Sequence, residues 1–402
     1  MTKTESATVD ILISGGGIAG LTAAAAFASA GFSVQCVDPT APVTERDDSG
    51  SDLRTTAFLQ PGQALLEQAG LWSRLAPHAA PLQVMRIVDA GGDVPEPRII
   101  KNFDAADISD QPFGWNLPNW LLRREMLARI KELPNVDLRL GTATKTLFTR
   151  LNEARVSLSD GSQTKARLVI AADGRNSPMR EAAGIKVHTT RYGQNALALA
   201  VTHPIPHANV STEIHRSGGP FTLVPLPDHN GSPSSALVWM ERSARAKQLF
   251  EMDEATFEAE MTERNCSLFG PLKLASRRTI WPIISQSAER LFDERLALVA
   301  EAAHVVPPIG AQGLNMSLGD MRVLLDLAIA NPHQLGDAQM LETYHRRRFA
   351  EVKLRVQGID MLNRASMVEN RSLRDARALG INALYSLAPV RKTLMQMGLG
   401  AR

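Results

Sequence analysis

The segment DILISGGGIAGLTAAAAFASAGFSVQCVD (10–38) constrains this chain more than any other. Residues 9–13 form a short apolar run that ends in glycines, the pattern of a buried strand. Residues 21–30 are small and Ala-rich, which suits a helix packed closely on a sheet, and 32–38 read as a second strand. Gly15, Gly17 and Gly20 give G-x-G-x-x-G between the first strand and the helix, with Ile18 and Ala19 completing the loop. The first glycine permits a tight turn, the second lets backbone approach a pyrophosphate, and the third lets helix and strand touch. Asp38 ends the second strand, roughly 20 residues on, where a carboxylate can accept hydrogen bonds from a ribose. The unit predicts an α/β fold with a Rossmann-like dinucleotide site. By itself it does not separate FAD from NAD.

A chain of 402 residues, 44% hydrophobic, has enough core for two or three domains. A formal net charge of +2 argues against nucleic acid as the main partner. Cys36 and Cys266 sit in no CxxC or Cys/His cluster, which argues against structural zinc. The start, MTKTESATVDILISGG, lacks the basic and apolar regions of a secretory signal and the Arg-rich character of a transit peptide. No apolar run is long enough to span a bilayer. The expectation is a cytoplasmic protein with reduced thiols, a peripheral place at the inner membrane being left open.

Beyond the first unit, residues 81–110 are rich in Pro, Gly and Asp, with β-like runs at 85–89 and 98–102. Further strands are expected at 136–140, 155–159 and 168–172. From 196 to 282, β-like runs at 196–202, 221–225 and 235–240 alternate with Pro/Gly/Asn turns, and a helical stretch over 243–263 interrupts them. After Ser317 the pattern is helical. The division expected is a dinucleotide-binding domain over 1–183, to which 291–345 return, a β-sheet domain over 184–290 suited to a substrate, and a helical C-terminal region over 346–402.

Three more segments carry chemistry. In LVIAADGRNSPMREAAGI (168–185), Asp173-Gly174 follows a buried strand, with Arg175, Ser177 and Arg180 close behind. An ordinary Asp-Gly turn with a Ser N-cap explains the same letters. In DLRTTA (52–57), Arg54 precedes a helix over 61–69 and can meet a phosphate as a bidentate donor, or simply be solvated. In LALVAEAAHVVPPIGAQGLNMSLGD (296–320), an apolar strand runs through a Pro-Pro-Ile-Gly loop into a helix start. Backbone N–H groups at such a start hold polarised or negative groups.

These segments, in this order, resemble the class A flavoprotein monooxygenases, and more closely the ubiquinone-biosynthesis aromatic-ring hydroxylases of the UbiH/UbiF/VisC type. The pieces that match are GGGIAGLTAA, DLRTTAFLQP, FGWNLPNWLL, AADGRNSPMR, TEIHRSGGPFTLVPLPD and AHVVPPIGAQGLNMSLGD. The resemblance implies that Gly15, Gly17, Gly20 and Asp38 hold the ADP half of FAD. It places Arg54 along the cofactor, with Arg123 or Arg124 beside it. Asp173 would help hold FAD and shape the NAD(P)H path. Pro307, Gly310 and Gly313 would run past the isoalloxazine, and Leu314 and Asn315 would offer N–H groups to its pyrimidine end.

One departure stands out. The family has Gly-Asp where this chain has Ala300-Glu301, so a Cβ and a methylene are added. The Glu301 contact keeps its chemistry, but its geometry shifts by roughly one bond length.

The implied activity is hydroxylation of a polyprenylated phenol in ubiquinone biosynthesis through a flavin 4a-hydroperoxide. The protein supplies orientation and exclusion of water, and no catalytic triad is required. His304 is expected to fix the loop beside the flavin rather than to act as a base. The implied partners are the prenylated phenol, molecular oxygen, a sister subunit or a ubiquinone-biosynthesis complex, and a membrane surface. Apolar Phe221, Leu223, Leu226 and Trp239 are pocket candidates, although a stripe at strand spacing is more often plain core. The C-terminal stretch 379–402 mixes Leu387, Leu394 and Met395 with Arg391 and Lys392, and suits either a membrane surface or packing on its own chain. Two other classes stay open: a non-catalytic flavoprotein subunit of a biosynthetic complex, and an epoxidase or prenyl reductase on the same scaffold.

Overall fold

A computed structural model describes residues 6–92, 94–368 and 370–399. Its first sheet has eight strands. The main path runs Phe292–Asp293, Leu296–Leu298, Gln163–Ala171, Ser6–Ser14, Val34–Asp38, Val136–Leu140, and Ala154–Leu158 and Thr144–Thr149 branch from it. The four central strands are parallel, with Ile11 facing Leu168 on one side and Val34 on the other. Ile11, Leu12 and Ile13 are fully buried, as expected of a strand covered on both faces. The helix Ile18–Ser29 packs against the helices Asn119–Lys131 and Gln312–Ala330. It is buried almost all round, so only small side chains fit, which accounts for its alanines.

The second sheet has nine strands, in the order His304–Val305, Thr279–Ala288, Val187–Thr202, Ser232–Arg242, Pro220–His229, Val210–His215, Val84–Asp89, Ile99–Asp104, with Lys273–Leu274 on Val187–Thr202. It therefore recruits two strands from the segment assigned above to 1–183, so 184–290 alone does not complete it. The join is the parallel pair Val84–Asp89 with Val210–His215. Parallel partners need long crossovers and leave no hairpin signal in the sequence.

One face of this sheet packs on the helices Ser243–Glu251 and Glu254–Arg264. Phe221, Leu223 and Trp239 lie in that core with Leu249, Phe257 and Met261. Leu226 packs with Ala200 and Ala236. Phe221, Leu223 and Trp239 are thus packing residues on the face opposite the cavity, and Leu226, on the same face as Val224, is spent on packing and does not line the cavity.

The C-terminal region forms three helices, Ala338–Ser366, Arg371–Ser386 and Ala388–Leu399. The last two fold back on the strand Ile99–Asp104. Tyr385 meets the Phe103 ring edge-on at 5.3 Å and donates to the Asn102 carbonyl at 2.9 Å. Arg98 pairs with Asp375 at 2.6 Å, and Met395 is buried with Leu59, Ala105 and Phe113. Residues 400–402 of the stretch singled out above lie outside the described residues.

Candidate cofactor and substrate site

The three glycines do three different things. Gly15 has φ +105°, and a Cβ there would overlap the Ala172 carbonyl. A Cβ on Gly20 would land on the Gly15 carbonyl oxygen. Gly17 meets nothing within 4 Å: its missing side chain faces open space, in the wall of a cavity that Ile18 and Ala19 also line. Gly17 is the N-cap of its helix with no side-chain cap, so the first-turn N–H groups are presented there. Asp38 stands behind the loop. Its Oδ2 accepts from Gly16 N at 2.6 Å, and its Oδ1 from Thr40 N at 2.8 Å and Thr40 Oγ1 at 2.9 Å.

Asp173 follows the strand Gln163–Ala171 and sits beside the same loop. Its Oδ2 accepts from Ser14 Oγ at 3.1 Å and from Met179 N at 3.3 Å. Its Oδ1 is buried with no partner among the described residues. Burial pushes this carboxyl above its usual range, against the pull of hydrogen bonds from Ser177, Met179 and Ser14. Ser177 is an N-cap, accepting from Arg180 N at 3.0 Å. The buried Arg180 side chain donates to the carbonyls of Ala302 at 3.0 Å and Arg175 at 2.9 Å, which ties this segment to the third.

In the third segment, the strand Leu296–Leu298 leads into the short helix Ala300–Ala303, then the loop, then the 19-residue helix Gln312–Ala330. Pro308, Gly310, Gly313 and Leu314 line the cavity, while Pro307 is buried behind the loop. Gly313 and Leu314 lie in the first helical turn, where N–H groups have no intrahelical acceptor. Asn315 lies one residue further in, and its side chain is a clamp instead. Nδ2 donates to the Ala57 and Ala311 carbonyls, both at 2.7 Å, and Oδ1 accepts from Leu59 N at 2.9 Å. Asn315 therefore fixes the helix start against the strand Thr55–Leu59 rather than reaching the cavity.

His304 is buried behind this loop. Its Nε2 donates to Asp320 Oδ2 at 2.6 Å, and Asp320 Oδ1 accepts from Arg348 Nε at 2.8 Å. Arg348 also donates to the Met316 carbonyl at 3.2 Å. The triad pins loop to helix.

Ala300 has φ +54°, a left-handed conformation that costs a residue with a Cβ about 1–2 kcal/mol. Glu301 is half-exposed, 3.4 Å from Arg175 Nε, and lines the cavity. A Gly-Asp pair would suit this backbone better, since glycine adopts positive φ at little cost. Changing Ala300→Gly with Glu301→Asp is expected to tighten FAD binding by roughly 1 kcal/mol, the worth of one improved hydrogen bond. Titration of apoprotein checks this, and unchanged affinity would mean that the backbone already compensates.

Arg54 is gripped by Asp52, with Nε at 2.8 Å and Nη2 at 2.7 Å, and its guanidinium stands 5.2 Å from the Trp281 ring centroid in the second sheet. Arg123 Nη2 is 3.4 Å from the same carboxylate. Burial raises the Asp52 carboxyl, but Arg54, Asn119 and Arg123 outweigh it and hold it below the usual range. Arg54 and Arg123 line the cavity; Arg124 turns away to Glu125 and the Trp120 ring. Asp52 carries no motif beyond its position, and sequence reasoning had given it no role.

The far wall of the cavity comes from the second sheet, through Met85, Ser211, Glu213, Thr222, Val224 and Val238. Strand alternation marks two faces but does not say which one meets a ligand. These residues were missed for that reason.

Comparison with known proteins agrees with this geometry. The chain matches the family described as FAD binding domain over residues 8–359. It is 33% identical to the ubiquinone hydroxylase UbiL of Rhodospirillum rubrum, over 100% of this chain and 91% of that protein. It is 28% identical to the 3-demethoxyubiquinol 3-hydroxylase of Escherichia coli, over 97% and 98%. Among solved structures, p-nitrophenol 4-monooxygenase PnpA from Pseudomonas putida superposes with a TM-score of 0.78 at 18% identity, over 98% of this chain and 99% of that one, which shows the fold. The chain belongs to the FAD-binding-domain family and, within it, to the ubiquinone hydroxylases. It is an FAD-dependent monooxygenase with the class A flavoprotein hydroxylase fold.

Proposed function

We propose that this protein hydroxylates the aromatic ring of a polyprenylated phenol on the way to ubiquinone, using FAD reduced by NAD(P)H. One observation carries the reading: a single cavity runs from the glycine loop, past the Pro308–Leu314 segment, to a wall of the second sheet. Cofactor and ring substrate can therefore meet in one continuous space. The residues present suit FAD. Gly17 leaves room for a pyrophosphate, two helix N-termini face the cavity, and Asp173 Oδ1 is a buried acceptor that still needs a donor.

Gly15, Gly17, Ile18, Ala19 and Gly20 would take the pyrophosphate, and Asp38 the ribose through the lone pairs its loop contacts leave over. Arg54 and Arg123 would lie along the cofactor, and Asp173 and Glu301 would accept from its hydroxyls. The N–H groups of Gly313 and Leu314 would meet the flavin's pyrimidine end. When bound and reduced, FAD activates dioxygen and delivers one oxygen atom to an electron-rich ring. The chain's part is positioning and exclusion of water. Val224, Val238, Trp281, Pro282, Val306 and Pro308 give the space an apolar lining.

Leu82, Val84, Met85 and Phe113 continue that lining, and Phe113 is backed by Met395 of the last helix. This end suits a prenyl tail. No helix among the described residues is long and apolar enough to cross a membrane. Leu379 and Leu394 are nonetheless exposed on the two C-terminal helices and Leu387 between them, with Arg391 and Lys392 in the second helix, a combination suited to peripheral membrane contact.

Deleting the gene should make the host accumulate an under-hydroxylated quinone precursor. The wild-type gene should clear it, and Asp173→Ala should not. Mass spectrometry of lipid extracts decides. Rescue by a folded variant shown to be unable to reduce its flavin would sink the catalytic reading in favour of a structural subunit.

A further inference from the structure

The charged side chains that line the cavity are unevenly placed. Asp52, Arg54, Arg123, Arg175 and Glu301 stand on the cofactor side and are paired with one another there. On the wall of the second sheet stands one carboxylate, Glu213. It belongs to the strand Val210–His215, with its side chain 14% exposed. His215, two residues along and on the same face, holds Glu213 Oε1 through Nε2 at 2.8 Å. Across the sheet, Glu213 pairs with Ile87 on one side and Thr222 on the other, and Thr222 pairs with Val238. Val224 and Met85 lie one row away. The carboxylate is thus held by His215 at one oxygen, in a largely apolar wall, on a residue that lines the cavity.

We propose that Glu213, oriented by His215, is the hydrogen-bond acceptor that anchors the phenolic hydroxyl of the substrate. This rests on the phenol-hydroxylase reading above and adds the specificity contact to it. A hydroxyl donating to a carboxylate makes a short, charge-assisted hydrogen bond, stronger than one to a neutral acceptor. The bond draws electron density from O–H into the ring, which favours attack by an electrophilic oxygen. It also fixes which ring edge points toward the cofactor. A ring whose hydroxyl is methylated offers the carboxylate no donor while still displacing water from it, so the site rejects it.

The test uses FAD-loaded wild type, Glu213→Gln and Glu213→Val, with a short-chain prenyl phenol and its O-methyl ether as probes. Binding is followed by the fluorescence of Trp281, which lines the cavity. Flavin content and thermal unfolding establish that each variant is folded and loaded. Wild type is expected to bind the phenol about 10- to 100-fold more tightly than the ether, as befits one hydrogen bond to a charged group. Both variants should lose that preference, and more of the NAD(P)H they oxidise should yield no product. A folded variant with the wild-type preference and wild-type coupling would overturn the role of Glu213 and leave the phenol reading standing. Wild type that binds neither probe and oxidises neither would overturn the phenol reading itself, and the role of Glu213 with it.

Discussion

Gly17→Val is expected to give a folded, soluble protein that holds no flavin. A Cβ at Gly17 meets no protein atom within 4 Å, so the apoprotein has no backbone clash to unfold it. The same open space is where the pyrophosphate must approach the backbone, and valine fills it. Gly20→Ala should behave in the opposite way. Its Cβ would fall on the Gly15 carbonyl, backbone against backbone, and overpacking of that kind costs about 3 kcal/mol or more. Absorbance spectra and thermal unfolding separate the two. Gly17→Val protein that stays fully yellow would show that the first glycine loop does not hold the cofactor.

Asp320→Ala should be the most damaging single change behind the loop. Asp320 is fully buried and serves His304 with one oxygen and Arg348 with the other. Removing it leaves a buried guanidinium without its inner carboxylate; Glu351, the remaining acidic partner of Arg348, is nearly half-exposed. Losing one member of a buried ion pair costs about 3–5 kcal/mol. The lower end, about 3 kcal/mol, is expected because Glu351 and the Met316 carbonyl stay in place. Urea denaturation of the apoprotein measures this. A loss under about 1 kcal/mol, the worth of an ordinary exposed pair, would show that the cluster does not pin the loop.

The parts of the site that were legible in the sequence are those where backbone does the work. The strand, glycine loop and helix of 10–38 are written in spacing and side-chain size, and the folded chain uses Gly15 and Gly20 for close backbone approach and Gly17 for open space. Side-chain direction was much less legible. Arg123 and Arg124 are neighbours on one helix, and the letters do not tell which faces the cavity; packing turns Arg124 toward Glu125 and Trp120. Pro307 and Pro308 divide in the same way, one buried and one lining. Asn315 belongs to a motif that points to the cofactor, yet its amide is spent on Ala57, Leu59 and Ala311. The strands of 84–104 were visible as strands but not as members of the second sheet, because their parallel partner lies over a hundred residues away. Glu213 falls in a matched segment, TEIHRSGGPFTLVPLPD, but outside the strands read from the sequence. Only the topology shows that its face is the wall of the cavity.

The central claim is most directly tested by supplying purified, FAD-loaded protein with NADPH, isotopically labelled dioxygen and a short-chain prenyl phenol, and weighing the product. The expected result is a yellow protein whose NADPH oxidation rises with the phenol and whose product carries one labelled oxygen atom on the ring. A protein that takes up no FAD, or that consumes NADPH at the same rate with and without the phenol and leaves the ring unlabelled, would contradict it.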